Sequence, residues 1–423
     1  MPRVLILCTT TGYQIRSFTK AAARLDIELV FATDRCQVLE DPWRDNAIPV
    51  KFYLENESLR KIVEVGVTDT IHGIIAVDDR PTVLASMVAC ELGLPGHSET
   101  ATRASCNKLM MRRRIQAAGL LCPWFRFFPL DARSDEELPK THFPCVVKPL
   151  TLSGSQGVIR ANEVLEFQAA LQRLRTFLKQ PEIGALRDPA NDTIMVEEFI
   201  NGEEYALEGI LEWGRLKVLA LFDKPDPLNG PFFEETIYVT PSSLTGVAQD
   251  AIVRAVTEAA ITLGLYHGPV HAECRINDRG VFVLEIAARP IGGLCSRVLR
   301  FIGIEKELVS LETLLLRHAV GESLAGYTRE ADASAVMMIR IPREGIYKRV
   351  EGLEQAKAIS YIDQVFMTVK PDQHLIPLPE GRSYLGFIFS RAGSPEVAVE
   401  ALRAAHQCLN FVIDPSIRVI SKG

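Results

Sequence analysis

The sequence predicts an α/β protein: a doubly wound parallel sheet at the N-terminus, then lobes richer in strands. Three observations carry this reading. Through about residue 100, apolar runs of strand length alternate with helical stretches, the order of a parallel sheet. From about residue 104 strands follow one another more closely, around a Gly/Ser-rich loop. With 423 residues, the chain exceeds one ordinary core and fits two to four lobes.

The elements follow in order. Residues 4–8 (Val4-Leu5-Ile6-Leu7-Cys8) form an apolar run, a buried first strand too short to serve as the core of a signal peptide. Thr9-Thr10-Thr11-Gly12 has no G-x-G-x-x-G pattern; it reads either as a plain βα turn or as a phosphate-lining loop before a helix. Ile15, Phe18, Ala22 and Leu25 then recur at helical spacing. Strands are expected at 27–31 and 74–77, and a helix at 81–92, stopped by Gly93 and Pro95. Asp78-Asp79-Arg80 lies just past a strand end, where such sheets bind ligands, although paired acids also suit the start of the helix at Pro81. A helix at 108–118 leads to aromatic residues 124–128 and to a short buried strand, 143–149, that carries Lys148. Strands are expected at 194–199, 205–211, 217–222, 270–276 and 281–286, a helical tract near 303–320, and a final block from about 331 with a helix at 395–408.

Composition excludes several classes. Lys plus Arg is 47 against 53 for Asp plus Glu, a net charge of −6, which suits neither nucleic acid nor an anionic membrane surface. No apolar run approaches bilayer-spanning length. The nine cysteines include no C-x-x-C pair, which favours reduced thiols and a cytoplasmic location over a disulfide framework or zinc cluster.

The most physical clue is a hairpin. The stretch 271–276 and the stretch 281–286 flank Asn277-Asp278-Arg279-Gly280. A three-residue loop, Asp278-Arg279-Gly280, pairs Asn277 with Val281 and sets Glu273 opposite Glu285. A two-residue loop would shift the register and split the carboxylates onto opposite faces. Directly opposed acids repel unless solvated or joined by a cation, and hard oxygen ligands suit Mg²⁺ or Mn²⁺ with phosphates completing the shell. Arg289, four residues past Glu285, suits a phosphoryl transition state or an ion pair with Glu285, and Gly292-Gly293 permits close backbone approach. An unpaired lysine on a buried strand is costly, so Lys148 calls for an anion; the loop Ser153-Gly154-Ser155-Gln156-Gly157 can fold over phosphates. Residues 196–205 read as strand, turn, strand, where backbone groups can meet a base edge and a carboxylate a ribose.

In order, these features are a lysine at a helix start, a strand lysine, a glycine loop, E-E-F-I-x-G-x-E, H-x-E and E-x-x-x-R. That order resembles the ATP-grasp superfamily, and the form Glu285-Ile286-Ala287-Ala288-Arg289 resembles its L-amino-acid ligases (dipeptide synthetases). The resemblance implies an ATP-grasp fold with an N-terminal α/β domain at 1–103, a small lobe at 104–198, a large lobe with the metal site at 199–325, and a C-terminal packing domain at 326–423. It implies ATP-binding roles for Lys108, Lys148, Ser153, Gly154, Ser155, Gly157, Glu197, Phe199, Ile200 and Glu204, with Glu197 and Ile200 at adenine and Glu204 at ribose. Glu273 and Glu285 would hold Mg²⁺ or Mn²⁺, and Ala287 replaces the asparagine that many members use as a further ligand. Arg289 would be catalytic, and Glu235, His271, Arg289, Gly292 and Gly293 would meet substrate, Glu235 taking an amino group. The implied activity is an ATP-dependent carboxylate–amine ligase acting through an acyl phosphate and releasing ADP. The partners implied are small-molecule carboxylates and amines, within a homodimer. A bicarbonate-activating carboxylase and a non-catalytic ATP-binding regulator are the alternatives.

Overall fold

The structure, a computed structural model, describes residues 1–9, 15–34, 47–132 and 141–415, so most of the Thr-rich loop lies outside the described residues. Strands β1 (Arg3–Cys8), β2 (Glu28–Thr33), β3 (Ile48–Pro49) and β4 (Gly73–Val77) form a parallel sheet in the order β3-β2-β1-β4. The unbroken apolar run of β1 follows from burial on both faces. Val4, Ile6 and Cys8 pack with Phe18 and with Leu311, Leu314 and Leu315, while Leu5 and Leu7 pack with Ile62, Leu84 and Val88. One of the covering helices, Leu311–Ala319, therefore comes from far along the chain.

The second sheet is antiparallel, in the order β5-β8-β6-β7: β5 (Phe125–Pro129), β6 (Cys145–Pro149), β7 (Ile159–Ala161) and β8 (Thr193–Glu198). Helix Val164–Leu178 covers it through Phe167, Leu171 and Leu174. The chain then crosses to a third sheet. Residues 196–205 are not a hairpin, because β8 belongs to the second sheet and β9 (Glu203–Glu212) to the third.

Eight strands make the third sheet. With β10 (Arg215–Asp223), β11 (Ile237–Thr240), β12 (Gly268–Asn277) and β13 (Gly280–Ala287), its order starts β13-β12-β9-β10-β11. The expected helical tract near 303–320 is shorter than its composition suggests. β14 (Arg300–Ile302) ends just before it and β15 (Leu308–Ser310) lies within it, the two joined by a turn with Lys306 at φ 63°, before helix Leu311–Ala319 begins. The turn breaks helical periodicity, and β16 (Thr328–Arg329) completes this small sheet. Strand β17 (Ala333–Ile339) then pairs with β11, so the long sheet runs on through the C-terminal block. After β18 (Gly345–Glu351), β19 (Ile362–Met367) and β20 (His374–Leu375), strand β21 (Gly386–Ala392) pairs with β17 and β19 to finish the long sheet in the order β17-β21-β19. The last strand, β22 (Asn410–Asp414), pairs with β18, whose other neighbour is β20. A division at residue 326 thus separates stretches of chain that share one sheet.

Candidate active site

A cavity of about 430 Å³ opens between the second and third sheets. Nearly every residue singled out in the sequence lines it: Lys108, Lys148, Ser153, Gly154, Ser155, Glu197, Phe199, Ile200, Glu204, Glu235, His271, Glu273, Glu285, Arg289, Gly292 and Gly293. Gly157 is the exception. It turns away at φ 70°, and its N–H donates to the carbonyl of Pro379.

The hairpin that carries the two acids reaches the expected pairing by an unexpected route. The loop has two residues, because Asn277 pairs with Gly280, Ile276 with Val281 and Cys274 with Val283. That register alone would put the acids on opposite faces. A β-bulge between Glu273 and Cys274 on one side and Val283 and Glu285 on the other inserts Leu284, so Glu273 does face Glu285. The bulge carbonyls are held by Arg112, which is fully buried and donates to Val283 O at 3.1 Å and Leu284 O at 2.9 Å. No sequence motif pointed to Arg112; its spacing from Lys108, one turn along the same helix, was the available signal.

One wall is rich in cations. Asn107 caps helix Lys108–Ala117 by accepting from the N–H groups of Leu109 and Met110, which puts Lys108 in the first turn. Its ammonium donates to Leu152 O at 2.8 Å, just before the Ser153 loop, and lies 3.9 Å from Glu285. Glu197 lies in the central strand of its sheet, with Phe125 and Val146 as ladder partners. Its carboxylate accepts from Lys148 and from Arg112 Nε at 2.9 Å. Burial opposes the carboxylate charge, but Arg112 and Lys148 outweigh it and hold the Glu197 pKa down at about 2. Burial, only partly offset by Glu197, pushes Lys148 down to about 8. Both groups are therefore charged at neutral pH, and Lys148 has its anion within the protein.

The opposite wall is rich in acids, and its organiser is a residue that the sequence reading missed. Lys224, one residue past β10, donates to Glu204 at 2.7 Å, Glu235 at 3.0 Å and Glu273 at 2.9 Å. Burial disfavours its cation, but the three carboxylates outweigh that and raise its pKa well above the usual lysine value. Burial and the neighbouring Glu273 raise Glu235, although Lys224 works the other way. Tyr238 donates to Glu235 at 2.5 Å. Glu204 also accepts from Arg275 at 2.9 Å, and Arg275 reaches Ile200 O at 2.7 Å. His271 lies 3.1 Å from buried Glu208, whose carboxylate accepts from Ile291 N–H. Burial opposes the imidazolium, but Glu208 and Glu273 prevail and raise His271 to about 9.

Arg289 does not pair with Glu285. It forms a two-pronged ion pair with Asp79 across 210 residues, at 2.8 and 3.0 Å. Asp79 makes no side-chain cap on the helix that follows, so the acid pair after β4 serves different purposes: Asp79 orients Arg289, and Asp78 accepts from Thr9 at 2.8 Å. Among the described residues no cluster of three or more His, Cys, Asp or Glu is arranged to hold a metal ion. The opposed pair Glu273 and Glu285, with Ala287 beyond, offers hard oxygen donors that would suit a cation such as Mg²⁺ or Mn²⁺.

Comparison with known proteins bears on this arrangement. Family models match residues 19–96 as an ATP-grasp N-terminal domain, 141–298 as an ATP-grasp domain, and 337–414 as L-amino acid ligase C-terminal domain 2. The two ATP-grasp models together span more than half of the chain, which belongs to the ATP-grasp superfamily. The alanine–anticapsin ligase of Bacillus subtilis is 28% identical over 62% of this chain and 57% of its own length. Dapdiamide A synthase of Enterobacter agglomerans is 27% identical over 53% of this chain and 52% of its own. The chain thus spans little more than half of either relative. The crystal structure of an L-amino acid ligase from Bacillus licheniformis superposes with a TM-score of 0.82 at 24% identity, covering 98% of this chain and 99% of that one, which shows a shared ATP-grasp fold. No helix among the described residues of this ATP-grasp protein is long and apolar enough to cross a membrane.

Proposed function

We propose that this ATP-grasp ligase joins a small-molecule carboxylate to an amine as a peptide-like amide, converting ATP to ADP and phosphate. The observation that carries the reading is the pairing of two unlike walls in one cavity: Lys108, Lys148 and the Ser153 loop face Glu273, Glu285 and Arg289. The first set suits the phosphates of ATP, and Phe199, Ile200 and Glu204 suit its nucleoside. Glu273 and Glu285 would hold Mg²⁺ or Mn²⁺, which when bound supplies charge neutralisation at the phosphates. The substrate carboxylate attacks the γ-phosphorus and ADP leaves, giving an acyl phosphate. Arg289, held in place by Asp79, stabilises charge on the transferring group. The amine then attacks the acyl carbon, phosphate leaves, and the amine's proton passes to phosphate or solvent. Glu235 meets the ammonium group of an amino-acid first substrate, with Lys224 and Tyr238 fixing its position. Gly293 leaves room beside Phe387, whose ring lies 3.6 Å from where a Cβ would stand.

The deciding assay is ADP release with and without candidate acids and amines. Release that needs both an acid and an amine supports the ligase. Release that needs bicarbonate instead, or none with any pair, defeats it.

A further inference from the structure

The cation pairings around the cavity leave one gap. Lys108, Lys148, His271, Arg275 and Arg289 each have a carboxylate within 4.0 Å. Arg382 lines the same cavity, is exposed, and forms no ion pair among the described residues. It belongs to a loop of the C-terminal block, between β20 and β21.

That loop is tied down. Gly157 N–H donates to Pro379 O at 2.8 Å, and Gln156 Nε2 donates to Glu380 O at 2.7 Å. Arg173, on helix Val164–Leu178, makes a two-pronged ion pair with Glu380 at 2.6 and 2.8 Å. Its guanidinium also lies 4.9 Å from the ring centre of Phe232, in the segment leading to Glu235. These contacts join the Ser153 loop, the small lobe and the C-terminal block, and they hold Arg382 at the cavity beside Ser383 and Tyr384. A planar cation with no carboxylate partner among the described residues, lining the same cavity as Gly292 and Gly293, is suited to a ligand carboxylate.

We propose that Arg382 is a specificity-determining residue that receives a free carboxylate on the acceptor amine, and that Glu380 is a positioning residue that holds it there. The inference rests on the ligase reading and narrows it: the acceptor is an amino acid rather than a simple amine. The contact forms on the acceptor, so it acts on acceptor affinity and not on ATP.

The test uses the full chain. L-Amino acids are screened in pairs by ADP release, and each active acceptor is compared with its own carboxamide, which lacks the carboxylate. Wild type should favour the acid over the amide by about tenfold in kcat/KM. Arg382→Ala should erase that preference by raising KM for the acid by about tenfold, with KM for ATP unchanged, and Arg382→Lys should restore part of it. Glu380→Gln should raise acceptor KM in the same direction by about threefold, a smaller effect because one of several tethers is lost. Equal use of acid and amide by wild type, an equal loss for both in Arg382→Ala, or a rise confined to KM for ATP would each overturn the assignment. An unchanged acceptor KM in Glu380→Gln would overturn the role of the latch. If no acceptor stimulates wild-type ADP release, the ligase reading fails and this inference with it; the other negative outcomes leave the ligase reading standing.

Discussion

The two walls of the cavity are charged in opposite senses. On the first, Lys148 and the fully buried Arg112 both engage a single carboxylate, Glu197, and Lys108 lines the same cavity. On the second, Lys224 sits among Glu204, Glu235 and Glu273, with Arg275 also on Glu204, His271 beside Glu273, and Glu285 facing Glu273 across the ladder. A surplus of buried charge costs free energy unless a ligand completes it. The sign of each surplus matches what the proposed function would bring to it: anionic phosphates to the first wall, cations to the second. The difference also corrects the simple picture of Glu273 and Glu285 as bare repelling acids. Lys224 and Lys108 already moderate that repulsion.

Breaking the acid-rich wall at its organiser should have the largest effect. Lys224→Met leaves three carboxylates without their shared cation and should cost about 3–5 kcal/mol of stability, seen as a lower melting temperature. Added Mg²⁺ should recover more of that loss than added Na⁺ at equal ionic strength; no difference between the salts would count against a cation-seeking wall. Glu285→Gln should lower turnover by at least about 100-fold, while melting without ligand holds or rises slightly. The stabilisation by Mg²⁺-ATP should shrink in the same variant. A purely structural Glu285 would instead lose ligand-free stability and keep near-normal turnover.

The cation-rich wall is probed by Lys148→Ala. Calorimetry should show ATP binding weakened by about 1.5–3 kcal/mol, the range for a charged donor. Arg112 still neutralises Glu197 in this variant, so folding should suffer less than in Lys224→Met. Unchanged ATP affinity would remove Lys148 from the nucleotide site.

The smallest effect sharpens the comparison through pH. His271, among acids, has its folded pKa raised to about 9, so its contribution is present below the unfolded value of 6.5 and is lost as pH rises through 9. His97 and His318 lie elsewhere, and burial lowers each to about 4. Their contribution is present above 6.5 and lost as pH falls toward 4. Melting without ligand should therefore weaken in both directions from near pH 6.5. His271→Asn should flatten the alkaline limb, and His318→Leu the acid limb, each by about 2–4 °C. Variants that leave both limbs unchanged would show that these histidines do not govern the profile.

Residue type and local spacing made much of this readable in advance. Alternating apolar runs identified the parallel sheet, because strand burial is written in consecutive residues. Lys108, Lys148, the Ser153 loop, Glu273 and Glu285 drew notice by residue type beside turns and strand ends, and they do meet at one cavity; phosphate and metal roles for them belong to the proposed function. The facing of Glu273 and Glu285 was foreseen, but through the wrong loop. A bulge leaves no signature in residue type here, and its anchor, Arg112, contacts it from 171 and 172 residues away.

What tertiary structure alone decided is the partner of each charge. Lys224 meets Glu273 across 49 residues, Arg289 meets Asp79 across 210, and Arg173 meets Glu380 across 207. A sequence displays which groups are ionisable and the faces that local periodicity gives them. It cannot display which distant carboxylate neutralises which cation, because that depends on how separate sheets come to rest against one another. The chemistry available to this protein was therefore written in its local motifs, while the charge each wall has left over for a ligand was settled only when the sheets closed around the cavity.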